Sequence, residues 1–219
     1  MRSTFGEDAM ISYKTLFSAI LIIPVLIVGC GERRPSNDIF EAIERKGYRE
    51  SEVRDMINAD PTLLSTRDDI SRTPMYMLAE RGRTSMVELC LDKGTDVNQL
   101  GYTGHTALSA ACDSGHYDTA KLLISRGADP NIAATDGETP LHQIILAQPE
   151  YFELFTFLVE NGASLNVRME DGQSLLGYCR KRRAIYEEPD YAGSKSLQKR
   201  LVDAHLRLEA YIETRTDVH

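Results

Sequence analysis

The sequence predicts an all-α solenoid of stacked helix-turn-helix units, and three observations carry that expectation. The segments "TPMY" at Thr73, "TALS" at Thr106 and "TPLH" at Thr139 recur every 33 residues. A fixed period of this size marks an array whose units bury their apolar faces against one another. The closing segments "KGTDVN", "RGADPN" and "NGASLN" keep step with them through Gly94, Gly127 and Gly162, the last interval being 35, so the third unit holds two extra residues. Finally, capping residues and glycines fall where helices have to begin and end.

Taken in order, "DIFEAIERKGYRESEVRDMINADPTLLSTRD" (38–68) reads as a capping unit with helices near 38–46 and 51–58. Thr73, Thr106, Thr139 and Ser174 then sit at N-cap positions, where a side-chain oxygen satisfies an orphan N–H. Pro74 and Pro140 lie just inside, where a missing N–H costs nothing. Gly82 and Gly115 mark the stop of a first helix, and Gly94, Gly127 and Gly162 the left-handed cap of a second. In the unit from Thr106, small Ala107, Ala110 and Ala111 with Leu108 allow close packing of the first helix, while Ala120, Leu122, Leu123 and Ile124 fill the core from the second. "LAQPEYFE" replaces the short central turn of the next unit, which predicts a second helix starting at Pro149 and an enlarged loop holding Ala147 and Gln148. The last segment predicts a final helix with an apolar stripe of Leu197, Leu201, Ala204, Leu208 and Tyr211. Before it, 186–193 reads as an extended acidic loop, and "RKRR" (180–183) as a solvated helix end or a contact for an acidic partner or anionic head groups.

This pattern resembles the ankyrin repeat, over units at about 38–69, 70–102, 103–135, 136–170 and 171–215. The resemblance implies a module that binds another protein, of unknown identity, through loop tips and the adjoining face of the first helices. Carried over position by position, the family's variable contact positions are Arg67, Asp69 and Arg72; Leu100, Tyr102, Thr103 and His105; and Thr135, Asp136 and Glu138. Glu80, Arg81, Asp113 and Ser114 at the first-helix ends complete the expected protein-binding surface, with Tyr102 its leading anchor. The resemblance also makes His116 a scaffold residue of the interhelical turn, Cys112 a stand-in for a small buried residue, and His142 a hydrogen-bond partner of the Thr139 region.

Composition narrows the chemistry. Of 219 residues, 33 are acidic and 25 basic, a net charge of −8, which argues against nucleic acid as the partner. No H-E-x-x-H, G-x-S-x-G, C-x-x-C or phosphate-loop signature occurs, so no catalytic residue and no cofactor is expected. Cys112 and His116 are four apart, but Gly115 breaks the helix that would align them as metal ligands. No metal ligand is therefore assigned. Cys90, Cys112 and Cys179 read as reduced, buried packing residues, and no spacing rule pairs Cys90 with Cys112.

The N-terminus is different material. Lys14 precedes the apolar run "TLFSAILIIPVLIVG", which ends at Gly29 and is followed by Cys30. The run is too short for an ordinary membrane span and suits a signal-peptide core. "IVGC" (27–30) resembles the lipobox of bacterial lipoproteins, which implies a signal peptide over 1–29, a lipidated Cys30, and a polar tether over 30–37. Glu7 and Asp8 fit such a leader poorly, so Met10 is an alternative start. Gly31 after the cysteine leans toward the periplasmic face of the outer membrane rather than the inner membrane. The expected function is a lipid-anchored periplasmic protein-binding module, concretely an immunity or inhibitor protein against a secreted toxic effector. The alternative is a structural or stabilising partner of a resident envelope or stress protein.

Overall fold

A computed structural model of the chain describes residues 35–147, 151–169, 171–188 and 195–216. The expected leader, Cys30, Pro149 and the stretch 189–194 lie outside the described residues. Ten α-helices are described: α1 (Pro35–Glu44), α2 (Glu50–Ala59), α3 (Pro74–Glu80), α4 (Thr84–Asp92), α5 (Ala107–Asp113), α6 (Tyr117–Ser125), α7 (Pro140–Ala147), α8 (Phe152–Glu160), α9 (Leu175–Glu187) and α10 (Lys195–Thr216). Short 3₁₀ turns occupy Pro61–Ser65 and Tyr102–Gly104. Among the described residues there is no β-strand, and the only bridge is the isolated Arg168 and Ser174 pair.

Each unit is a helical hairpin. The first helices α1, α3, α5, α7 and α9 stack in one row, and α2, α4 and α6 pack behind them in a second. One continuous apolar core runs from Ile39 to Ile212. The caps behave as the residues dictate: Thr73 Oγ1 accepts from Tyr76 N, Thr106 Oγ1 from Ser109 N, and Ser174 Oγ from Gly177 N. Thr139 differs, because its own N–H donates to Nδ1 of buried His142 at 3.1 Å. At the other end Thr95 N reaches Cys90 O, Ala128 N reaches Leu123 O and Ala163 N reaches Leu158 O, each across a left-handed glycine. These bonds satisfy carbonyls that the helix leaves open.

Repeats are stitched to one another by the same residue types in each unit. Asn98 Oδ1 accepts from Asp129 N at 2.9 Å, and Asn131 Oδ1 accepts from Ser164 N at 2.8 Å. His116, at the start of α6, donates from Nε2 to Glu80 O at 3.1 Å and covers Gly82, where a Cβ would meet its ring at 2.6 Å. In the following unit Tyr151 stands at the same place before α8, and its ring covers Gly115. The two extra residues of the third unit therefore leave the turn's packing plan in place, with an aromatic phenol where the previous unit has an imidazole.

Several sequence expectations change. α1 begins at Pro35, so the last three residues assigned to the tether are helical; a proline's fixed φ suits a first turn. Ala147 belongs to α7 rather than to an enlarged loop, and α8 starts at Phe152 behind Tyr151 rather than at Pro149. α9 continues to Glu187, so the start of the expected extended loop is helix, closed by Gln198 Nε2 donating to Tyr186 O at 2.6 Å. The buried stripe of α10 is Ala204, His205, Leu208, Glu209 and Ile212, whereas Leu197 is exposed. Burying Glu209 has a partner: Arg183 Nε donates to its Oε1 at 2.7 Å, and Arg180 pairs with Glu213. Arg180 and Arg183 of the basic run are thus bound to α10, whose carboxylates face them across the α9 and α10 contact.

Candidate protein-binding groove

The site is built from loop tips. Each long loop folds back on itself through one backbone bond: Asp68 N to Arg72 O, Gly101 N to His105 O, Ala134 N to Glu138 O, and Met169 N to Gln173 O. An aspartate also fixes the tip, Asp68 Oδ1 accepting from Ile70 N and Arg72 N, and Asp136 Oδ1 from Glu138 N. These fingers overhang the first helices. Beneath them lie two concavities, one of about 570 Å³ bounded by α1 and the first loop, and one of about 390 Å³ bounded by α3, α5 and the second loop. Ile70 and Arg72 line both, so the two form one groove.

The residues expected on this surface divide by what they touch. Arg67 is spent on neighbouring backbone: its Nη1 donates to Leu100 O at 2.8 Å and Ser71 O at 3.1 Å. Thr135 donates through N and Oγ1 to Thr103 O at 3.1 and 2.9 Å, and Thr103 itself is left-handed at φ 47°. These three hold finger to finger, and Ser114 caps α5. Arg72 donates to Asp68 Oδ2 at 2.7 Å and Glu44 Oε1 at 2.6 Å, while Arg81 reaches Glu80 Oε2 at 3.0 Å. Asp69 and Tyr102 open into the groove, Glu80, His105 and Asp113 line its floor and wall, and Leu100 is exposed but outside it.

Ile70 was absent from the expected set. It is the most exposed large apolar residue described, at 52%, and with Tyr102 at 42% it frames the groove. The signal was present as a lone isoleucine in the polar stretch "TRDDISRT"; a period reading assigns such a residue to a loop and stops there. Glu44 and Tyr76 were also missed, because both face the groove only once neighbouring units are stacked.

Electrostatics follow from the shape. Partial burial raises the pKa of Asp113, opposed by the pull of His105. Burial, then repulsion from Asp136, raises that of Glu138, opposed by hydrogen bonds from Gln143 and Tyr178. Tyr76 is pushed up to about 12 by burial and by Glu80 and Asp113. Among the described residues, neither Asp113, Asp136 nor Glu138 has an ion-pair partner. Ligand atoms of His105, Asp136 and Glu138 come within 4.8 Å of one another. That His–carboxylate group joins two loops one period apart, and it differs from the Cys112 and His116 pair weighed from sequence. Cys112 is fully buried, with its thiol pushed up by desolvation.

With this geometry in hand, the class is an array of helical hairpins presenting a groove. Residues 39–134 match the family profile described as ankyrin repeats (3 copies), and residues 136–170 match a further ankyrin repeat. The chain belongs to the ankyrin-repeat family, and its repeats form a protein–protein interaction module. It is 42% identical over 67 residues to an ankyrin repeat-containing protein of Schizosaccharomyces pombe, covering 31% of this chain and 32% of that one. It is 30% identical over 115 residues to human ankyrin repeat domain-containing protein 63, covering 51% and 30%. An ankyrin repeat protein of Acanthamoeba polyphaga mimivirus is 25% identical over 173 residues, covering 78% of this chain and 21% of its own length. The chain thus spans a third or less of these relatives. No described helix is long and apolar enough to cross a membrane.

Proposed function

We propose that this protein is a lipid-anchored binder of the periplasm whose groove captures another protein, and that its task is to neutralise a secreted toxic effector. The observation that carries the binding role is the groove itself, framed by exposed Ile70 and Tyr102. Exposed apolar and aromatic anchors over a concave floor are where binding energy concentrates. The apolar run ending in "IVGC" supports the anchor. Two or three acyl chains on Cys30 would make attachment effectively permanent, at about 0.8 kcal/mol per buried CH₂.

The test is affinity capture from detergent-solubilised membranes. The full chain is expected to retain a specific protein prey of secreted-toxin type, and Ile70→Ala with Tyr102→Ala to reduce capture at least about tenfold, with an unchanged thermal transition. Cys30→Ser should release the protein from membranes. Equal capture by the double variant would overturn the groove, a resident envelope protein as the sole prey would overturn the toxin role, and membrane retention of the serine variant would overturn lipidation.

A further inference from the structure

Resting on the groove reading above, we infer that the captured partner presents a basic segment, an arginine or lysine set beside an apolar residue. The groove's own cations are committed. Arg72 is held by Asp68 and Glu44 and Arg45 by Glu52 at 3.3 Å, while Arg81, beside the groove, pairs with Glu80 and lies 3.7 Å from Glu44. What remains toward the second and third loops is acidic: Asp113, Asp136 and Glu138, none of them in an ion pair among the described residues. Asp113 lies in the same concavity as Ile70, Tyr102 and His105, and Asp136 and Glu138 come up against His105 from the next loop.

The apolar anchors are therefore close to carboxylates that lack a cationic partner, Glu138 holding only hydrogen bonds from Gln143 and Tyr178. A neutral or acidic partner seated on Ile70 and Tyr102 would strip water from these carboxylates and return nothing, which is the costly case of an unpaired buried charge. A cationic side chain offsets that cost and steers association toward this end of the groove. Guanidinium fits especially well, because its planar fork can serve two carboxylates at once.

Three fluorescein-labelled peptides of about twelve residues test this by anisotropy on the full chain in detergent. One carries arginines flanking two leucines, a second has glutamate for each arginine, and a third has serine for each leucine. The first is expected to bind at least about tenfold more tightly than either control, and to weaken about tenfold when Asp113→Asn and Glu138→Gln are combined. Its binding should also weaken with added salt, since exposed charges are screened beyond about 10 Å at 0.1 M. Asp136→Asn, at an exposed position, serves as the second variant should the pair perturb folding. Equal binding of the glutamate peptide, no loss in the carboxylate variants, or binding that requires an added divalent cation would each overturn the inference. If no peptide binds while the Ile70 and Tyr102 variants still lose their captured protein, the basic partner is overturned and the groove stands.

Discussion

His142 shows how a single residue ties the scaffold to solution conditions. It is fully buried, and its Nδ1 accepts from Thr139 N at 3.1 Å, a role that only the neutral ring can fill. Burial lowers its pKa from 6.5 to about 4. The unfolded chain therefore binds a proton that the fold refuses, so this contribution to stability is complete above about pH 6.5 and is lost as pH falls toward 4. Linkage puts the loss at about 2 kcal/mol by pH 5. Urea unfolding at pH 7.5 and pH 5 should show that loss in the native chain and a flatter dependence in His142→Gln; parallel slopes would refute it. His205, also lowered by burial, adds a slope of the same sign, whereas raised Asp113 and Glu138 act in the opposite direction. The role of His142 was legible from its place after a capping threonine. The exposure of Ile70 was not, since an apolar residue in a polar loop reads the same whether it is tucked in or presented.

At the scale of elements, the turn between the two helices of a unit depends on its neighbour. Gly115 is left-handed at φ 68°, and a Cβ there would fall inside the Tyr151 ring of the next unit. Gly127 is also left-handed, at φ 87°, yet has open space around it. Alanine at Gly127 should therefore cost only the backbone term of about 1 to 2 kcal/mol. Gly115→Ala should cost roughly 1 to 3 kcal/mol more, the toll of overpacking against a ring. Denaturant midpoints compare the two directly, and equal losses would mean that the ring yields freely. The glycine positions were legible as helix stops. That Tyr151 takes the histidine's place was hidden by the two-residue insertion, which shifts the register by which units are compared.

Across the whole molecule, a linear array has no distant contacts to share a loss, because each unit touches only its neighbours. α10 closes the array by covering α9 with Ala204, Leu208 and Ile212 and by accepting Arg183 on buried Glu209. Leu208→Ala should lower stability by about 2 to 4 kcal/mol. It should also speed alkylation of Cys179, under α10, far more than that of Cys90, five helices earlier in the array; equal acceleration would show that the array opens as one unit. All three core thiols are free and buried, and burial pushes Cys90 and Cys179 up to about 12, so they react only when the core opens. The sequence by itself determined the period, the helix caps and the order of the hairpins, because those depend on bonds between residues a few positions apart. Only the tertiary structure decided which loop residues open into the groove. Arg67, Thr103 and Thr135 are consumed by finger-to-finger bonds, while Ile70, Tyr102 and Asp113 are left to the groove. That division is set between units 33 residues apart, where local patterns carry no information about which side chain is spent and which is free.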